Sequence, residues 1–287
     1  MSRYTRLLPM IAAMLFVSSS GALQQPDPKK DKDEKALTKE DERYRREAEQ
    51  LMDGIDLEVL VAEKWIKVKR IEKPILYYGD ATRENDRGSL WAWGDKGRPV
   101  ATLELYQNTA NRTQWAYAVC NLSGGKLRAK RNGESWWEPN DSTTELKDIP
   151  DAPAPAADGP QRQRQLKQLA QKFTGHEFWD PNNSRFELRR LERPLHTYKE
   201  DDRGIQEGAL YILANGTNPE LIVLIEARTK SKDGAKPTWQ YGVGRSAHAE
   251  LHLEYDGKEV FEAPRGYRVS GENKPYWLGT INTAPKK

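Results

Sequence analysis

Apolar and polar residues alternate between Trp65 and Ile71, with Ile66 and Val68 set against Lys67 and Lys69. A period of two is the pattern of a half-buried strand. Further strands are predicted over Leu90–Trp93, Val100–Tyr106, Gln114–Cys120, Lys126–Lys130 and Ser135–Glu138. Gly94-Asp95-Lys96-Gly97 and Arg131-Asn132-Gly133-Glu134 lie between them. Gly-rich links of this length, and Asn-Gly above all, are hairpin chemistry. Ahead of the strands, Thr38 stands as an N-cap with Glu40 and Asp41 in the first turn. That arrangement predicts a helix over Lys39–Met52, ended by Asp53-Gly54. A second helix is predicted near Gln163–Phe173. Strands follow over Phe186–Leu191, Ala209–Ala214, Leu221–Glu226, Trp239–Val243, His248–Tyr255 and Val260–Glu262, with Asn215-Gly216 and Asp256-Gly257 as turns. Short links between strands favour antiparallel pairing.

The two series of elements share residues as well as order. Arg70-Ile71-Glu72-Lys73-Pro74-Ile75 returns 120 positions later as Arg190-Leu191-Glu192-Arg193-Pro194-Leu195. Tyr78, Gly88, Trp91 and Pro99 meet Tyr198, Gly208, Tyr211 and Pro219 at the same offset. Four added residues move the offset to 124, where Trp115 and Tyr117 meet Trp239 and Tyr241. Internal repetition fixes architecture before any local assignment. The expected fold class is therefore α+β, in two homologous tandem units. Each has one helix and an antiparallel sheet of about five or six strands.

Composition adds location. Arg3 and Arg6, the apolar stretch Leu7–Val17 and the small residues Ser20-Gly21-Ala22 form the pattern of a secretory signal peptide over residues 1–22. A retained anchor is the alternative, although the apolar stretch falls short of the about 20 residues a span needs. No Cys follows it, which excludes a lipoprotein anchor, and no later segment is apolar enough to cross a membrane. Residues 23–37 form a charged spacer, 38–139 repeat unit one, 140–161 a Pro/Ala/Asp-rich linker, and 162–265 repeat unit two. Residues 266–287 form a tail whose Tyr276-Trp277-Leu278 cluster is expected to dock on unit two. The full chain carries a formal charge of +3, and loss of Arg3 and Arg6 leaves +1. That balance argues against a nucleic-acid partner. One Cys in an exported chain cannot form an internal disulfide, and Cys120 is expected as a small buried residue.

Candidate chemistry is sparse. Trp91 and Trp93 lie two apart on one strand face, but their counterparts Tyr211 and Leu213 point to a core pair, since Leu cannot stack on a sugar. The adjacent Trp136 and Trp137 face opposite ways, so one of them needs cover from the helix or the other unit, or else stands as a ligand-binding residue. Arg70, Glu72 and Arg83 recur as Arg190, Glu192 and Arg203 and could form two equivalent ligand sites, or fix the turn before Pro74 and Pro194. His248, Glu250, His252 and Glu254 share a strand face, with Lys126, Arg128 and Lys130 near the equivalent positions of the first copy. Residues four apart on a strand stand about 13 Å from each other. One ion cannot take both His, so no metal site is expected. The reversed signs suggest an interaction face between units or chains. No Gly-x-Ser-x-Gly elbow or phosphate loop occurs, so neither catalytic residues nor a cofactor are expected.

The run Gly88-Ser89-Leu90-Trp91-Ala92-Trp93, Gly97-Arg98-Pro99 and Trp136-Trp137-Glu138-Pro139 resembles a family of uncharacterised exported bacterial proteins. The resemblance covers about Lys69–Pro139 and implies export but no activity. The second copy lacks the Gly-Arg-Pro triplet, having Thr217-Asn218-Pro219 instead. The expected function is a non-enzymatic binding or structural module of the bacterial envelope, periplasmic or extracellular, with an envelope protein or polysaccharide as partner. The alternatives are an extracytoplasmic hydrolase using carboxylates between the units, and a carbohydrate-binding module using exposed Trp.

Overall fold

Thr38 and Asp41 close a capping box: each side chain accepts the backbone N–H of the other. Helix α1 (Lys39–Asp53) starts there and buries Tyr44, Ala48 and Met52, a stripe of four-residue spacing. Helix α2 (Gly159–Gln171) starts at Asp158, whose carboxylate accepts from Gln161 N–H, and buries Leu166, Leu169 and Ala170. It begins before the predicted Gln163 because Pro160 sits in the first turn, where its missing N–H costs nothing. The computed structural model describes residues 37–80, 85–108, 111–141, 144–229, 236–266 and 270–282. The predicted leader, nearly all of the spacer and Arg83 lie outside the described residues.

The rest is antiparallel sheet, so the fold is a sheet-rich α+β structure. The first series of strands is β1 (Ile55–Val61), β2 (Lys64–Val68), β3 (Leu76–Asp80), β4 (Asn85–Trp93), β5 (Ala101–Asn108), β6 (Asn111–Asn121), β7 (Leu127–Arg131) and β8 (Glu134–Trp137). A two-residue strand, β9 (Lys147–Asp148), precedes α2. The second series is β10 (Phe173–Phe178), β11 (Arg185–Arg190), β12 (His196–Glu200), β13 (Ile205–Asn215), β14 (Asn218–Arg228), β15 (Thr238–Arg245), β16 (Glu250–Tyr255) and β17 (Lys258–Ala263), and β18 (Tyr276–Asn282) ends the chain's described part. Each series thus holds more strands than the five or six expected. The additions are β1 and β10, which follow directly on the two helices, and β3 and β12, which follow Pro74 and Pro194.

The first series pairs in the order β8-β7-β1-β2, joined by an Arg70–Trp93 bridge to β4-β5-β6-β18, with β3 on β4. The second pairs as β17-β16-β10-β11-β13-β14-β15-β9, with β12 on β13. Registers correspond too. Trp91 opposite Leu103 and Gln107 opposite Trp115 become Tyr211 opposite Val223 and Ala227 opposite Trp239.

The last strand of each sheet corrects the sequence reading. The C-terminal β18 docks on β6 of the first series, not on unit two. The Pro-rich stretch is more than a connector: β9 docks on β15, and Ile149 joins the second core. β18 also supplies the cover that Trp136 and Trp137 need. Trp136 packs against Tyr117 and Trp277, and Trp137 Nε1 donates to Lys274 O at 2.8 Å.

Three apolar cores result. One joins α1 to Trp91, Trp93, Trp115 and Trp137; another joins α2 to Tyr211, Leu213, Val223 and Trp239. The third is a seam between the opposite sheet faces, built from Leu90, Cys120 and Leu122 against Leu210, Ile212, Ile222 and Leu224. The central strands are therefore buried on both faces, which is why β13 and β14 read as nearly continuous apolar runs. Cys120 is buried in the seam, where loss of hydration pushes its thiol up to about 12.

Candidate functional site

The repeated Tyr and Gly residues build the polar part of the seam. Tyr78 lies opposite Gly88, and Tyr198 opposite Gly208. A Cβ on either Gly would overlap the Tyr ring, so only Gly lets the ring lie across the strand. Each ring then carries its hydroxyl to a buried carboxylate. Tyr78 donates to Glu104, and Tyr198 donates to Glu226 at 2.8 Å. Each carboxylate reaches across the seam. Glu104 accepts the Ser246 hydroxyl at 3.0 Å, and Glu226 accepts Arg98 Nε at 2.6 Å.

Arg98 is held at every level. Gly94, with φ of 126°, turns the chain after β4. His196 Nε2 donates to Gly97 O at 3.2 Å, and Arg98 N–H donates to Glu200 at 3.2 Å. A side chain at 97 would press on that Glu200 carboxylate. The Gly97-Arg98-Pro99 triplet is therefore a docking turn read by the second sheet. The Arg98 side chain is 2% exposed, and its Nη1 donates to Leu122 O. Arg98 also lines a cleft of about 580 Å³.

Two more guanidinium groups, Arg203 and Arg228, line this cleft with Ser123, Gly124, Thr144 and Glu145. Arg203 stands 3.5 Å from Glu200, and Arg228 stands 3.6 Å from Glu226. Neither is locked by a short bidentate pair. Each guanidinium carries five N–H donors in a planar fork, so donors outnumber acceptors on this wall. The arrangement can hold a planar anion such as a carboxylate.

The other end of the seam carries the equivalent positions with other chemistry. Asn218 follows Arg98 by 120 positions, the offset at which Tyr78 meets Tyr198. Asn218, Ser246, His248, Glu104, Tyr276 and Trp179 are among the residues lining a cleft of about 180 Å³. Burial and the nearby Arg245 guanidinium hold the His248 pKa below its ordinary value, so its imidazole is neutral at pH 7.

The remaining predicted residues are scattered. Arg70 bonds Asp53 at 2.7 Å and covers the Trp91 ring, while Arg190 bonds Leu191 O at 2.9 Å and covers the Tyr211 ring. These are matched caps on two cores. Glu72 lines a surface hollow near the end of α1, and Glu192 lines another beside α2. Of the repeated charged residues with described side chains, only Arg203 reaches the seam cleft. The expected attraction between the basic and acidic strands is absent from this seam. Lys126 and Lys130 are exposed, and Arg128 pairs with Glu58 at 2.7 Å in its own sheet. His252 bonds Glu259 at 2.8 Å and approaches Glu250 at 3.4 Å. It also stacks on His176 at 4.5 Å, whose Nδ1 lies 3.7 Å from Glu254. His248 lies before β16 and leaves that face altogether.

Sequence reasoning missed Arg98, Arg228, Glu226 and Asn218. One signal was available: Gly97-Arg98-Pro99 has Thr217-Asn218-Pro219 as its counterpart 120 positions on. Among the described residues, no group of three or more His, Cys, Asp or Glu is placed to hold a metal ion. No helix of theirs is long and apolar enough to cross a membrane. No known protein family, curated protein or solved structure matches this chain.

Proposed function

We propose that this chain is an exported, non-enzymatic binding module of the bacterial envelope, arisen by tandem duplication, whose Arg98 cleft holds the carboxylate of an envelope polymer. The observation that carries the reading is the buried Arg98 guanidinium, fixed by Glu226 and sharing one polar cleft with Arg203 and Arg228. The common strand order, the matched registers and the two Tyr–Gly notches support duplication. The leader-like residues 1–22 support export.

A carboxylate suits the cleft better than a dianion. Three guanidinium groups face Glu226, Glu200 and Glu145, so the walls hold little net positive charge for a phosphate to neutralise. What they offer is forked donors in excess. A hydrolase reading is less favoured, because Glu226 Oε1 is taken up by two framework donors, Arg98 and Tyr198. Trp91, Trp93, Trp115 and Trp239 are all 2% exposed or less, so none of them can stack on a sugar.

Calorimetric titration with oligogalacturonate, acetate and phosphate at low ionic strength tests the reading. Arg203→Met and Arg228→Met should each weaken carboxylate binding by about tenfold or more while melting stays unchanged, given about 1.5–3 kcal/mol for a charged hydrogen bond. Equal binding by wild type and both variants sinks it. Export is checked by N-terminal sequencing of the protein recovered outside the cytoplasm, with residue 23 expected first.

A further inference from the structure

The cleft at the opposite end of the seam differs from the Arg98 cleft in one respect that bears on a ligand. Among the described residues, Asn218 Oδ1 and the Tyr276 hydroxyl of its lining have no hydrogen-bond partner. Their residues are 6% and 3% exposed. Buried polar groups are nearly always paired, so each such group calls for an explanation. The Asn218 amide is oriented, because its Nδ2 donates to Glu220 at 2.7 Å and turns Oδ1 out as an acceptor. The Tyr276 ring is fixed as well, with the Arg245 guanidinium 4.9 Å from its centroid. Arg245 is itself tied to the carbonyls of Ala247, Pro264 and Ala249. Burial raises the Tyr276 pKa well above its ordinary value, so the hydroxyl keeps its proton.

From this geometry we infer a second binding site, independent of the Arg98 cleft, for a neutral six-membered polyol ring such as a pyranose. The volume of about 180 Å³ is of the right size, since a cavity of about 150 Å³ takes a six-membered ring. One fixed acceptor and one fixed hydroxyl suit adjacent sugar hydroxyls, each of which both donates and accepts. Trp179 supplies an apolar wall for the C–H face of the ring and is held in place by its stack on Phe186 at 5.3 Å. Trp179 and Leu278 are only half-buried, which leaves a way in. Glu104 on the wall disfavours an acidic sugar.

Saturation-transfer NMR with glucose, N-acetylglucosamine and glucuronate on the full chain tests the site. The neutral sugars should bind in fast exchange and quench Trp fluorescence, with glucuronate weaker. Tyr276→Phe and Asn218→Leu should each weaken neutral-sugar binding about tenfold, one hydrogen bond being lost in each. Arg203→Met should leave it unchanged, which separates this site from the carboxylate reading. If Asn218→Leu fails to fold, Tyr276→Phe decides, because it removes a single oxygen. Three results overturn the inference. They are no sugar signal at about 100 mM, a millimolar site being the weakest of interest, binding unaffected by Tyr276→Phe, and preference for glucuronate. In the first case water alone satisfies Asn218 and Tyr276.

Discussion

The two ends of the seam occupy matched positions in matched sheets, yet they hold together by different means. At one end Arg98 crosses to Glu226, and both side chains are 2% exposed or less. At the other, Asn218 occupies the equivalent place and a neutral hydroxyl, Ser246, makes the crossing to Glu104. The framework under both is the same: a Tyr ring laid over a Gly, delivering its hydroxyl to a buried Glu. Exchanging Arg for Asn at one position changes a charged joint into a polar hollow without moving a strand.

The largest test of that contrast removes the charge. Arg98→Met strands Glu226 in the seam, and breaking one partner of a buried pair costs about 3–5 kcal/mol. Ser246→Ala removes a hydroxyl bonded to a carboxylate at the other end and should cost about 1.5–3 kcal/mol. Urea denaturation of the two variants measures both. Equal losses would mean that the two joints are equivalent and that Arg98 adds nothing a hydroxyl does not.

The next test targets what the ends share. Gly88→Ala and Gly208→Ala each drive a methyl into a Tyr ring, and overpacking of this kind costs about 1–3 kcal/mol. The two losses should agree closely, since both notches have the same strand register. A tolerant notch at one end would show that its Tyr can swing away, and so that its Tyr–Glu bond does little for the seam.

Much of this arrangement could be read from residue order. The caps at Thr38 and the turns at Asn132-Gly133 and Asp256-Gly257 are local chemistry, and local chemistry leaves a local signature. Tyr78, Gly88, Tyr198 and Gly208 stood out because the chain repeats them, although their reason, a ring over a notch, needs the pairing of β3 with β4 and β12 with β13. Two end strands, β9 and β18, were not legible in their places. A period of two says that a segment is a strand but not which edge it joins, so β18 was assigned to the wrong sheet and β9 was lost inside a Pro-rich stretch. The seam residues failed for a related reason. Lys126, Arg128 and Lys130 against Glu250, His252 and Glu254 was the louder difference between the two strand series, but Arg128 and His252 pair within their own sheets. Arg98 against Asn218 was a single-residue difference, and only burial gives it weight.

The smallest effect distinguishes the halves by pH. All four His residues, at 176, 196, 248 and 252, belong to the second half. Burial opposes protonation of His252, but hydrogen bonds to Glu259 and Glu250 outweigh it and raise its pKa above 6.5. Its contribution is therefore complete below about pH 6.5 and fades as pH rises through the raised value. His176 behaves oppositely. Burial, the Arg185 guanidinium and the neighbouring His252 lower its pKa despite Glu187 and Glu254. His248 is lowered by burial and Arg245. For these two, stability is present above about pH 6.5 and is lost as pH falls through the lowered values. The two windows meet near pH 6.5, so wild-type stability should peak there and fall on either side. His252→Gln removes the fall on the alkaline side and keeps the one on the acid side, so its urea midpoint should rise up to about pH 6.5 and then level off. A variant whose midpoint still falls above about pH 6.5 would mean that His252 does not carry the alkaline loss alone and that the stacked pair, 4.5 Å apart, titrates as one unit.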